Sequence, residues 1–460
     1  MVIEEQFNFS SAIKRKVFTL IAIGFGLALI GIIGLKAGWW STHHSDSHSY
    51  GTSMDIGHDA GAHGHDGHAE EGHGDHGSEA IHAEGHGEHH EAWYKRIIAS
   101  LWHNVIFFTG VSLVGIFFLA IQYVTWSGWS ASIKRVMEAM GYGLFLGAPI
   151  LILVYSFGNH ELFHWTHEGL MDPDANNYDH VVAGKEWYLN QPFYIGRMLV
   201  YLGGWILLFL AIRKESLLED KTGNIIHHKR QINWSAGFLV FFGVSSSMCS
   251  WDWIMSIDTH WFSTLFGWYV FASWLASAIA VMILLVIFLK SQGLFSIVNE
   301  NHVHDLGKFL FGFSIFWAYL FFSQFILYWY SNIPEEVVYF LERMDYNDKV
   351  YAFLFLFIFI INFVFPLLWL MTRDSKRHFA WLKVAAYVVI GGHWLDFYMM
   401  IYPGVMKNQG GTDLGFFFLE VGFGLLFAGG FIYMYLMGLS KAPIIAKNHP
   451  FLEESKHLHI

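Results

Sequence analysis

The sequence predicts an all-α membrane protein that crosses a bilayer about ten times, and three observations predict it. Of its 460 residues, 54% are hydrophobic and 14% charged, whereas soluble domains run near a quarter charged. Ten segments are apolar on every face and long enough to span: 17–40, 97–125, 136–157, 193–213, 231–251, 261–289, 307–331, 349–371, 380–402 and 413–439. A span needs roughly 20 residues, because the hydrocarbon is about 30 Å thick and a helix rises about 1.5 Å per residue. Finally, placing the N-terminus inside puts 19 of the 27 Lys and Arg residues in inner segments, as the positive-inside rule expects. Both ends are then expected in the cytoplasm.

The segments are too long and too uniformly apolar for barrel strands. Val17 to Trp40 is long enough to span and lacks a small-residue cleavage pattern, so it reads as the first helix and not as a signal peptide. The chain divides into an N-terminal segment with helix 1 (1–40), a His/Asp/Glu-rich outer loop (41–96), helices 2–5 (97–251), helices 6–10 (252–440) and a cytoplasmic tail (441–460). The single cysteine, Cys249, excludes an intrachain disulfide, a four-thiolate iron–sulfur cluster and a CxxCH haem attachment. Lipid is the expected surrounding, and nothing points to nucleic acid.

Between Ser41 and Glu91 lie 13 His and 11 Asp or Glu without a Lys or Arg. Such a stretch cannot bury a core and is expected to be disordered. It could bind Zn²⁺ or Cu²⁺ loosely, but a solvated acidic loop is the simpler reading, and no metal ligand set is assigned. In the next outer loop His160, His164 and His167 share one face if the third helix continues through them. Asp252 and His260 flank the outer ends of helices 5 and 6 among three tryptophans of an interfacial belt.

Ionisable residues inside spans are the strongest functional signal, since each costs at least ~2.5 kcal/mol near the bilayer centre unless satisfied. His103, Arg197, Gln324, His393, Asp396 and Glu420 all fall in outer halves. The inner half offers only Glu138 and Asn362 as half-channel candidates. This expectation gives the molecule a polar outer side and a comparatively dry inner one. Such residues suit proton relay or a quinol headgroup. His103 and His393 are the one pair deep enough to hold a haem b, and a stand-alone ion or solute transporter is an alternative from another class.

The runs SWDWIMSIDTHWFSTLFGWYVFASW (Ser250–Trp274) and WYLNQPFYIGRMLVYLGGW (Trp187–Trp205), with the ten-span layout, resemble the ActF-type, NrfD-like membrane subunit of alternative complex III. That assembly is a bacterial quinol:cytochrome c oxidoreductase, so the resemblance implies a place in the bacterial inner membrane. The resemblance implies two four-helix bundles plus two flanking helices, and a subunit without its own covalently bound cofactor. Haems and iron–sulfur clusters would sit on partners. These would be the paralogous membrane subunit ActC, an iron–sulfur subunit, multihaem and monohaem cytochrome c subunits, small membrane subunits and, in a supercomplex, a cytochrome oxidase. Within the resemblance two roles stay open: a structural and proton-conducting subunit, or one that itself binds menaquinone.

Overall fold

A computed structural model describes residues 5–37, 39, 85–344, 349–406 and 415–458, with backbone alone for 85–92, 334–335, 349–350 and 415–417. Most of the histidine-rich stretch, 41–84, lies outside the described residues. Among those described, the chain is helical with no strand.

Ten helices are long and apolar enough to cross a membrane. They are α1 (Ser11–Lys36), α2 (Gly85–Val124), α3 (Lys134–Leu162, tightened by a 3₁₀ turn at Gly141–Gly143), α4 (Gln191–Thr222) and α5 (Ile225–Trp253). Then follow α6 (Phe266–Ser291), α7 (Glu300–Ser331), α8 (Tyr351–Trp369), α9 (Phe379–Met406) and α10 (Gly415–Ser440). All ten apolar segments of the sequence correspond to one of them.

Helices α2–α5 pack as one four-helix bundle and α6–α9 as a second, joined where α2 meets α6 and α9 and α5 meets α6. Helices α2 and α6 are buried over most of their length. The outer pair, α1 and α10, lies side by side against α2 and α3. Their approach is set by glycine: a Cβ on Gly24 would stand 2.4 Å from the backbone N of Leu426, and one on Gly422 2.5 Å from that of Ala28. Lipid tails are as apolar as leucine, so helices in a bilayer gain from close backbone packing more than from excluding water.

Both ends of the described chain meet at one end of the molecule, the terminal end. The backbone N–H of Ile444 donates to Glu5 O at 2.9 Å, and the Glu5 carboxylate caps the α6–α7 turn at Phe295 and Ser296. The tail then crosses this end: Asn448 donates to Asp220 O, Ser455 bonds Ser132 and His302, and Leu458 O accepts from Asn299 and Asn301. The opposite, distal end carries the 163–190 loop, the α5–α6 turn and the short helix Pro334–Met344.

Candidate functional site

Three buried carboxylates gather toward the distal end, each solved differently. In the first bundle Asp252 of α5 takes a bidentate pair from Arg197 of α4, with Nε and Nη2 both at 2.9 Å. Tyr201 donates its hydroxyl to the same carboxylate at 3.3 Å, and the guanidinium stacks on Tyr188 with its carbon 3.9 Å from the ring centroid. A planar fork meeting a carboxylate fixes both geometry and charge.

At the seam between α2 and α10, Glu420 accepts from Arg96 Nε at 2.7 Å and Nη2 at 3.2 Å, and from the Tyr402 hydroxyl at 3.1 Å. Tyr402 in turn pairs with Ser100. His103, fully buried one turn further along α2, bonds Trp394 O through Nε2 at 2.8 Å. Its Nδ1 has no hydrogen-bond partner among the described residues, and the rings of Trp394, Tyr398 and Tyr402 surround it.

The second bundle differs. Asp396 of α9 accepts from Tyr269, from Ser273 at 2.6 Å and from Trp317 Nε1 at 2.9 Å, all uncharged donors. His393 lies one turn away, its Nδ1 3.8 Å from Asp396 Oδ2, and neither ring nitrogen has a hydrogen-bond partner among the described residues. Asn362 of α8 is fully buried, and its side-chain oxygen and nitrogen both lack a hydrogen-bond partner among the described residues; it faces Gly392, where an added Cβ would stand 2.1 Å from Oδ1. Around it α8 widens into a π turn, Ile360–Val364, in which Phe365 N–H reaches back five residues to Ile360 O. Pro366 has no N–H for the carbonyl of Asn362 four residues earlier, which accounts for the local unwinding. Such π turns recur at functional positions.

Asp396 and Gln324 open on a cavity of about 20 Å³ lined also by Tyr269, Tyr339 and Arg343, room for one water. Gln324 Nε2 is buried and unpaired. Arg343, on the short helix Pro334–Met344, closes the distal side. It is 1% exposed and donates to Met399 O, Met400 O, Tyr339 O and Asp258. Burial opposes its charge, and Tyr339, Asp258 and Glu342 overcome that and hold it protonated. On sequence Arg343 counted only as one of eight outer cations; nothing local signals that it caps a helix 56 residues away.

Next to this cavity, α7 and α8 splay to leave an apolar groove of about 560 Å³, with Phe321 and Phe355 shared between the two.

At the distal surface α3 ends at Leu162, where Phe163 turns extended (φ −119°, ψ 108°), so the helix includes His160 but stops before His164 and His167, and the condition for a shared helical face is not met. The rings gather nonetheless: His160 stacks on His167 at 4.1 Å, His164 lies 5.3 Å from His167 and 6.4 Å from His260. His260 Nε2 bonds Asp179 at 2.6 Å. Partial burial raises the Asp179 pKa, but the N–H of Val182 and His260 outweigh it and hold the carboxyl below its ordinary range. Among the described residues no group of three or more His, Cys, Asp or Glu is placed to hold a metal ion.

The terminal end is not the dry side that the sequence suggested. Glu138 is fully buried and bound by Arg135, Arg213 and the Ser216 hydroxyl. Beside it Glu219 accepts from Lys134 at 3.1 Å and Gln231 at 3.0 Å and pairs with His228 at 3.0 Å, while Lys134 also reaches the Tyr123 hydroxyl at 2.9 Å. Reading Lys134, Arg135 and Arg213 as loop charges hid their role as counter-ions folded back under the bundle.

Compared with known protein families and with curated proteins, the chain matches none.

Proposed function

We propose that this protein is the proton-handling membrane subunit of a bacterial respiratory quinol:cytochrome c oxidoreductase, with the Asp396–His393 pair as its proton-accepting group. The observation that carries the proton assignment is the contrast among the three carboxylates. Asp252 and Glu420 are neutralised by bidentate arginines, whereas Asp396 is held by neutral donors beside a histidine with two unpaired nitrogens. Asp396 therefore combines uncharged donors with an imidazole nitrogen 3.8 Å away, a spacing across which one ordered group or water can pass a proton. The column Asn362–His393–Asp396–Gln324 then carries protons between mid-membrane and the distal end through bound water.

The assembly, its paralogous and haem-bearing partners, and the orientation with both ends in the cytoplasm rest on the resemblance of Trp187–Trp205 and Ser250–Trp274 and on the Lys and Arg asymmetry. Purification through a tag on this chain tests the assembly: c-type haem absorbance should co-purify, and a monomer that moves an ion or solute alone in liposomes would replace this reading with a transporter. Asp396→Asn tests the site: proton release per electron should fall while the assembly still forms.

A second reading is favoured by one observation. The groove between α7 and α8 could take a menaquinone tail, with Phe321 and Phe355 between it and the Gln324–Asp396 cavity that would receive the ring. A photoreactive quinone labelling α7 or α8, competed by menaquinone, would support it; labelling confined to partner subunits would remove it.

A further inference from the structure

At the terminal end, where α8 stops and α9 starts, a groove of about 720 Å³ is open to the surroundings of the molecule. Its floor is apolar: Phe365, Leu368, Trp369 and Trp381. The two indoles lie with centroids 4.3 Å apart, and Trp369 Nε1 donates to Trp381 O at 3.0 Å, which locks the floor. Its rim is polar, formed by Thr372, Asp374, Ser375 and His378. Of the neighbouring cations, Arg373 and Lys383 are exposed but do not line the groove, and Lys376 and Arg377 are turned inward. Lys376 Nζ donates to the carbonyls of Leu370, Met371 and Thr372, and Arg377 reaches Asn301 at 3.0 Å. The ionisable groups left on the rim are therefore one carboxylate, Asp374, and one imidazole, His378.

We propose that this groove is a phospholipid site selecting a headgroup with both a phosphate and a primary ammonium, as in phosphatidylethanolamine. The acyl chain lies on the tryptophan–phenylalanine floor, at the level where tryptophans mark a membrane edge. The phosphate takes hydrogen bonds from the Thr372 hydroxyl and the His378 ring. The ammonium donates to Asp374, a charge-assisted contact, and sits against the indole faces. A headgroup of pure negative charge would leave Asp374 facing a like charge, and a trimethylated one has no N–H to give it. The volume falls in the range of ordinary ligand pockets, and crevices between membrane helices are common headgroup sites.

The test is native mass spectrometry of the purified, delipidated protein offered equal amounts of phosphatidylethanolamine, phosphatidylcholine and phosphatidylglycerol with identical chains. One phosphatidylethanolamine should be retained with about tenfold preference over each competitor, the worth of one charged hydrogen bond. Asp374→Asn, an exposed change whose melting point should match the parent, should bring ethanolamine and choline lipids to equal retention. Trp381→Ala should reduce retention of all three. Equal retention of ethanolamine and choline lipids by the parent, preference for phosphatidylglycerol, or an unaltered preference in Asp374→Asn would each overturn the proposal.

Discussion

Arg343 Nε donates to the carbonyl of Met399 at 3.0 Å, in the place where the main chain has nothing to offer, because residue 403 is a proline inside α9. A helical carbonyl four residues before a proline loses its partner, and a buried unpaired carbonyl costs about 1–3 kcal/mol. Arg343→Met keeps much of the volume and removes these donors, leaving Asp258 without its cation as well. We expect a loss of about 3 kcal/mol, read as a fall in melting temperature in detergent. Adding Pro403→Ala restores an N–H for Met399 and should recover part of that loss.

Asp252 and Asp396 should respond to the same change with very different losses of stability. Asp252→Asn leaves the buried Arg197 charge without its partner and should cost about 3–5 kcal/mol. Asp396→Asn keeps an oxygen that accepts from Ser273 and Trp317 and turns its amide N–H toward the Tyr269 hydroxyl oxygen, which can accept it, and should cost about 1 kcal/mol or less, since no charge is stranded. Thermal melts separate the two, and under the proposed function only Asp396→Asn should lower proton release while leaving a well-folded protein.

The glycine contacts of α1 and α10 tolerate no side chain. Gly24→Val would drive a branched side chain into the backbone of Leu426 and should cost a few kcal/mol, in line with overpacking at a tight contact. Cysteine pairs placed across α1 and α10 should cross-link in the parent and lose that cross-link in Gly24→Val.

The tail adds a pH dependence. His449 is packed against His228 at 5.1 Å between ring centroids, over Tyr123 and Phe451. Burial lowers its pKa to about 2, with Lys134 and His228 acting in the same direction and Glu219 and Glu138 against it. The folded state therefore holds the ring neutral, while the unfolded chain takes up its proton below about pH 6.5. Stability contributed here is whole above that pH and is lost progressively as pH falls toward 2. Protection against hydrogen exchange over residues 441–458, taken relative to the intrinsic amide rate at each pH, should fall below pH 6, and His449→Gln should flatten that response.

What the sequence disclosed was whatever depends on composition along the chain. Long apolar runs identify spans because the bilayer imposes a length, and all ten were legible. Asp252, His393, Asp396 and Glu420 also stood out, as ionisable residues in or beside apolar runs, and all four are buried. Their partners were not legible. Arg96 meets Glu420 across 324 residues, and Arg343 meets Asp258 across 85; such pairs are properties of helix packing. Cations near helix ends carry a further ambiguity, since Lys134 and Arg213 serve equally well as topology signals and as buried counter-ions. The π turn at Asn362 is local, yet Pro366 alone announces only a kink.

The close pairing of α1 with α10 bears on the order in which the molecule is made. Helix α1 finds its tightest neighbour in α10, about 380 residues later, or roughly 20–80 s at ordinary rates of synthesis. Throughout that interval Gly24 and Gly31 are bare backbone facing lipid or an insertion factor. The two bundles can settle while they wait, and α1 gains its tight partner only when α10 arrives. A chain stopped short of residue 418 would keep both bundles and leave α1 adrift, a ready mark for quality-control proteolysis.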